Sequence, residues 1–192
     1  FQEELKTLHE ISLELSKANT LDDLCHLAVE LGTGRLDFDR LGLFLYDADA
    51  QTMVGTYGID RHGHVKAIGD LRLEVGPETR TAQILRQKGE TFVWENDALY
   101  DADQVVGYGW NASAALWRED EPIGWLVADN LLRQRSLEPN QLELLKLYSA
   151  TIGHLVTRQR TEETLKVKEA AIESSINAIA LADLDAQLTY VN

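Results

Sequence analysis

The apolar periodicity of the chain first changes at Gly32 and Gly34, and that change sets the fold class. Ahead of it, Leu5, Leu8, Ile11 (or Ser12) and Leu15 recur three or four apart, the stripe of an amphipathic helix over 2–17. Leu21, Leu24, Leu27, Ala28 and Leu31 form a second stripe, capped by Asn19 or Thr20 and ended by the two glycines. Beyond them the period falls to about 2 or gives way to short solid apolar runs. These runs are LGLFLYDADA, TMVGTYGI and HVKAIGDLRLEV, separated by Asp- and Gly-rich turns at 47–51 and 60–63, so three sequential antiparallel strands are expected. A short helix over 78–87 follows Pro77 and closes on Gly89, and TFVWEN reads as a fourth strand. The polar stretch DALYDADQVVGYGWN reads as a capping loop with one helical turn. The run NASAALWREDEPIGWLVADNLL gives two more strands joined at 118–122. Helices followed by six strands with one internal helix make an α+β domain on an antiparallel sheet.

A long helix starts near Pro139 and meets no stop signal before Ser174. Leu142, Leu145, Ile152, Leu155 and Val156 form its sheet-covering face. From Leu155 onward, a 3,4 spacing picks out Leu155, Arg158, Glu162, Leu165, Glu169, Ile172, Ile176 and Ile179. Three of those eight positions are charged, so the seam is a weak coiled coil whose expected partner is a second copy of the chain. The alternative is a tail helix folded back on the sheet. The chain opens on Phe1 and stops at Asn192 inside an incipient strand, which we read as two cuts in a longer protein.

Lys and Arg number 18 against 32 Asp and Glu, a formal net charge of −14. A field of that sign repels phosphate backbones and anionic membranes, so no nucleic-acid partner is expected. Cys25 is the single cysteine, which excludes an internal disulfide and fits a reducing, cytoplasmic setting. No stretch approaches the roughly 20 apolar residues of a membrane span, and no membrane insertion is expected.

The order of these elements carries a resemblance. DRLGLFLYDAD, the YD-turn-GTYG hairpin at 46–58, TFVWEND, ALWREDEPIGWLVADN and a closing helix with LLKLYSATIGHLV together resemble the GAF domains of signalling sensors, over residues 4–158. The segment AIESSINAIALADLDAQLTYVN, at 171–192, resembles the entry to a PAS domain. The resemblance implies three parts: a GAF-like domain at 1–158, a connecting signalling helix at 159–178 and the start of a PAS domain at 179–192. It also implies a six-stranded sheet with the first, second and last helices on one face and a loop-roofed pocket on the other. The implied role is a non-catalytic sensory and dimerisation module of a sensor histidine kinase or cyclic-di-nucleotide enzyme, with Leu155, Leu165, Ile172 and Ile176 on the dimerising helix. A cyclic-nucleotide-binding regulator is the first alternative, with Arg80 and the amides of Gly107 and Gly109 as donors.

Pocket residues follow from aromatics that crowd into the segments forming the roof in that layout. Arg80, Trp94, Asn96, Tyr100, Tyr108, Trp110 and Asn111 would stack on a flat ligand and fix it with a few hydrogen bonds. The alternative is that the tryptophans fill the pocket as core. No cofactor is expected. Cys25 lies on the far face of the sheet in this layout, which argues against a covalent bilin and against thiol redox chemistry in the pocket. His62, His64 and Asp60 meet no metal-ligand spacing, and His154 lacks the acidic residue and the proline that follow a kinase phosphoacceptor. No nucleophile and base can be paired, so an enzyme on the same fold stays only as a further alternative.

Overall fold

Thr20 begins the second helix as the sequence predicts. Its Oγ1 accepts from the Asp23 amide at 3.0 Å, and Asp22 and Asp23 sit in the positively polarised first turn. A computed structural model of the chain describes residues 1–174, 180–182 and 188–191. Helix α1 (Gln2–Leu15) buries Leu8, Ile11 and Leu15, and α2 (Leu21–Arg35) buries Leu24, Cys25, Ala28 and Val29. The glycines do not end α2, which runs on to Arg35. Gly32 serves packing instead: a Cβ there would lie 2.4 Å from Leu41 Cδ1 and 2.8 Å from Tyr148 Cε1. It lets the helix approach the sheet and the last helix more closely than any side chain would allow.

The sheet has seven strands: β1 (Arg40–Asp47), β2 (Thr52–Ile59), β3 (Val65–Ala67), β4 (Arg72–Glu74), β5 (Thr91–Asp101), β6 (Gln104–Arg118) and β7 (Glu121–Asp129). Their order is β3-β2-β1-β7-β6-β5, with β4 also pairing β2, and every pairing is antiparallel. The single strand expected over 64–75 is two short ones on opposite ends of β2, and residues 68–71 between them arch over one face of the sheet. That arch is tied down by Ile68 N to Thr56 O at 2.9 Å and Gly55 N to Leu71 O at 3.0 Å. The stretch read as a capping loop with a helical turn is the β5–β6 hairpin. Its polar composition reflects an exposed strand face, since Tyr108 and Val105 point to solvent.

Strand alternation separates two cores. Leu41, Leu43 and Leu45 of β1, Ala112, Ala114 and Leu116 of β6, and Leu126 and Ala128 of β7 face α1, α2 and the last helix. That helix, α4 (Pro139–Glu173), contributes Leu144, Leu145, Tyr148, Ile152, Leu155 and Val156. Tyr148 is fully buried and donates its hydroxyl to Ala28 O at 2.6 Å, and burial pushes its phenol pKa well up. On the other face Phe44, Met53, Ala115 and Trp125 pack under α3 (Arg80–Arg86) through Ile84 and Leu85. Leu155 therefore belongs to the core of its own domain, which corrects its assignment to a dimer seam. Leu165 is exposed and Ile172 half-buried, while Ile176 lies outside the described residues.

The chain divides into compact units at 1–156 and 157–192. The second holds the last turns of α4 and an antiparallel pair, β8 (Ala180–Ala182) with β9 (Leu188–Val191). Among the described residues no helix is long and apolar enough to cross a membrane.

Two glycines two residues apart test this packing with opposite signs. Alanine inside a helix is favoured over glycine by about 1 kcal/mol, less in the last turn where Gly34 sits, and nothing lies within 4 Å of the added methyl there. Gly34→Ala should raise stability in urea unfolding by up to that amount. Gly32→Ala should lower it by about 1–2 kcal/mol, because overpacking against the fixed Tyr148 ring outweighs helix propensity.

Candidate functional site

The face of the sheet opposite α1, α2 and α4 carries a cavity of about 470 Å³, within the usual range for small-molecule sites. Its floor is a cross-strand pair without side chains: Gly42 of β1 stands opposite Gly58 of β2. A Cβ on Gly42 would approach Phe44 Cε2 at 3.3 Å, and one on Gly58 would approach Ile68 Cδ1 at 3.4 Å. The apolar walls are Phe44, Trp125 and Val127 from the sheet, Ile68 and Leu71 from the arch, Leu73 from β4, and Ile84 from α3. Phe44 and Trp125 are register partners on β1 and β7, with rings edge to face at 5.8 Å.

One end of the cavity is polar. Arg40 and Asp129, directly opposite each other on β1 and β7, form a buried two-point pair: Nε to Oδ1 at 2.9 Å and Nη2 to Oδ2 at 2.6 Å. Nη2 also donates to Tyr100 O at 3.0 Å, which ties the turn of the β5–β6 hairpin to the first strand. A second tie comes from Asp101, which accepts from Lys66 Nζ at 3.0 Å and from the Arg61 amide at 3.2 Å. Burial pushes the Asp101 pKa up, but these two bonds outweigh it and hold the carboxyl below its ordinary value. At the mouth, Arg80 is ion-paired to Asp97 at 2.7 Å and its guanidinium lies 4.9 Å from the centre of the Trp94 ring. Nη1 of Arg40 and Nε1 of Trp125 are buried without a protein acceptor.

Of the residues proposed from sequence, Arg80, Trp94, Tyr100 and Asn111 line the cavity. Three others do not. Asn96 is an exposed residue at a bulge of β5 with φ of +51°, and Tyr108 is 68% exposed. Trp110 is on the helix face, its Nε1 donating to Arg135 O at 2.8 Å. The reason is strand parity: Trp110 shares its face with Ala112, Ala114 and Leu116, and Asn111 shares the cavity face with Ser113 and Ala115. Gly107 and Gly109 also leave the cavity, because an added Cβ on them would strike Leu131 Cδ1 and Asn130 Oδ1. The sequence reading missed Arg40, Gly42, Phe44, Trp125 and the 68–71 arch. The first three were within reach of parity counting, since an arginine beginning an apolar strand, a glycine two residues on and a phenylalanine two further share one face.

Cys25 is buried in the core on the helix side, so the sheet separates it from the cavity. The 60–64 turn is organised around Asp60, whose Oδ1 accepts from the amides of His62 and His64 at 2.8 and 2.9 Å. Among the described residues no group of three or more His, Cys, Asp or Glu is placed to hold a metal ion.

No family model matches the sequence, and no curated protein does. Solved structures do match. The GAF domain of an Acinetobacter phosphoenolpyruvate-protein phosphotransferase superposes over 84% of this chain and 98% of its own, with a TM-score of 0.66 and 16% identity. That of the Coxiella burnetii phosphotransferase covers 84% and 96%, at 0.67 and 18%. The phycoerythrobilin-bound GAF domain of a cyanobacterial phytochrome covers 83% and 97%, at 0.64 and 12%. The fold is the GAF fold. At these identities the likeness carries the architecture of the GAF-like domain, and its site has to be read from its own residues.

The ion pair makes a sharp prediction for this GAF-like domain. Arg40→Met leaves the Asp129 carboxylate buried alone and should cost about 3–5 kcal/mol, whereas adding Asp129→Leu should restore most of that stability. Thermal and urea unfolding of the two variants against the parent chain check it.

Proposed function

We propose that the chain is a non-catalytic sensory module of a longer signalling protein, in which a small molecule held in the Gly42–Gly58 cavity acts on α4. The observation that carries this reading is the Asp129 carboxylate. On the cavity side it holds Arg40, and on the other it accepts from the Leu131 amide at 3.0 Å. Leu131 belongs to the nine-residue connection 130–138 that leads directly into α4. A ligand that reorients Arg40 therefore acts on the first residues of that connection without a second relay.

Support for the sensory role also comes from the roof. The hairpin turn at Tyr100 and Asp101 is held by one bond to Arg40 and two to the 61–66 region, contacts that ligand entry can exchange singly. A cyclic nucleotide is disfavoured as the ligand. Arg80 is already committed to Asp97, the glycine amides point elsewhere, and Asp97, Asp101 and Asp103 crowd the mouth. The setting that fits is a cytoplasmic sensor histidine kinase or cyclic-di-nucleotide enzyme, with a PAS domain beginning near 179.

The test is a metabolite-library titration followed by amide and indole resonances. Binding should shift Gly42, Gly58, Trp94 and Trp125, and Gly42→Val should abolish the response while the fold survives. Shifts confined to 60–66, or no response at any residue, would sink the sensory reading.

Association of two copies through α4 is the second part of the proposal. Leu165 is 55% exposed and Ile172, seven residues on and so on the same helix face, is half-buried, an apolar pair that a partner helix would cover. Leu165→Asp with Ile172→Asp should weaken self-association in sedimentation at tens of micromolar and leave the unfolding of the 1–156 domain unchanged. A parent chain that sediments only as monomer, alone and within the longer protein, contradicts it.

A further inference from the structure

Two buried donors on one cavity wall lack acceptors, and their positions describe what the cavity takes. Arg40 is 5% exposed and Trp125 6%. The guanidinium commits Nε and Nη2 to Asp129 and Tyr100 O, which leaves Nη1 as its one unused edge. Folded proteins leave few buried donors unpaired; Nη1 is closed off in this structure, so a small turn of the Arg40 guanidinium toward the cavity would give this edge an acceptor from outside the chain. Trp125 Nε1 is likewise closed off without an acceptor. In register Arg40 stands opposite Asp129, and Phe44 opposite Trp125. Four residues along a strand cover about 13 Å, so the two donor-bearing residues are rooted at opposite ends of the wall. Gly42 lies between them on β1, and its partner Gly58 completes a floor without side chains.

Charge decides between acceptor types. Arg40 is neutralised by Asp129, Arg80 by Asp97 and Asp101 by Lys66. Asp103 adds a further carboxylate to the lining, and the whole chain carries −14. An anion would have to pass that mouth and share a guanidinium already gripped by Asp129. A neutral acceptor meets neither obstacle and still gains a hydrogen bond from a charged donor. Shape points to a ring system, because a flat floor faces Ile68 and Leu71 across the cavity and is flanked by Phe44 and Trp125.

We infer that the cavity selects an uncharged, flat aromatic molecule with a carbonyl or ring-nitrogen acceptor, the acceptor on Arg40 Nη1 and the rings over the Gly42–Gly58 floor. This rests on the reading of the cavity as a ligand site and adds the chemical class of the ligand.

Three probes of nearly equal size separate the possibilities: 2-acetylnaphthalene, 2-naphthoate and 2-ethylnaphthalene, titrated into the labelled chain and followed at Trp125 Nε1 and the amides of Gly42 and Gly58. The ketone should bind about tenfold or more tightly than the hydrocarbon, the worth of one hydrogen bond from a charged donor, and more tightly than the carboxylate. In the Arg40→Met/Asp129→Leu double variant the preference for ketone over hydrocarbon should disappear. Arg40→Lys keeps a cation opposite Asp129 without the free guanidinium edge, and it reports the same loss if the double variant does not fold. Tightest binding by the carboxylate, equal binding of ketone and hydrocarbon, or a ketone preference that survives both variants would overturn the inference while leaving the cavity a ligand site. Failure of all three probes to shift those resonances would overturn both readings.

Discussion

A buried guanidinium–carboxylate pair between Arg40 and Asp129 is the interaction on which the cavity side of this domain depends. It joins the first residue of β1 to the last residue of β7, strands adjacent in the sheet but 89 positions apart in sequence. Taking two charges out of water is costly, and a buried pair of this kind adds little net stability compared with well-packed apolar residues. What it adds is definition. Once both ions are buried, any register that separates them is penalised heavily. The pair thereby fixes the β1–β7 register, places Tyr100 through its carbonyl and positions Leu131 through its amide.

The two faces of the sheet solve opposite problems. On the helix side, small residues allow close approach, with Gly32 under Leu41 and Tyr148 and alanines at 112, 114 and 128 beneath the helices. On the cavity side, Gly42 and Gly58 are small for a different reason. No backbone descends onto them, and from the arch at 68–71 only the tip of Ile68 reaches Gly58. Two valines there would fill the space that the arch and α3 enclose, and the domain would have two cores and no cavity.

Much of this was legible in the sequence because it rests on local periodicity. Both amphipathic helices, the Thr20 cap, the hairpins of the apolar strands and the helix from Pro139 announce themselves through spacing and turn residues. The β5–β6 hairpin did not, since a strand with one face in water and bulges after Trp94 and Leu99 breaks the alternation that identifies strands. The site was half legible for a related reason. Choosing pocket residues by aromatic character placed Trp94 correctly and misplaced Trp110, because residue type does not tell which face of a strand a side chain takes. The Arg40–Asp129 pair was beyond reach in another sense: it depends on β1 and β7 being neighbours, which only the topology supplies.

The connection between sheet and helix decides whether a signal from the cavity would be passed on or absorbed, and its chemistry favours passage. A loose linker would dissipate a small displacement of Asp129. Residues 130–135 are instead held at several points. Asn130 accepts from the Trp110 amide at 3.0 Å and donates to Arg135 O at 3.0 Å. Asp39, itself buried, accepts from the amides of Leu132 and Arg133 at 2.8 and 2.9 Å. Arg133 pairs with both Asp37 and Asp39, and Arg135 with Asp37 at 2.8 Å. Burial works against the charge on Arg133, yet the two carboxylates prevail and raise its pKa. Partial burial likewise raises the Asp37 carboxyl, and its two arginines pull it below the ordinary range. In the proposed sensory role, a segment pinned this way would move as a body. A change at Asp129 would then reach Pro139 as a shift in where α4 begins, which a helix of 35 residues can carry along its length.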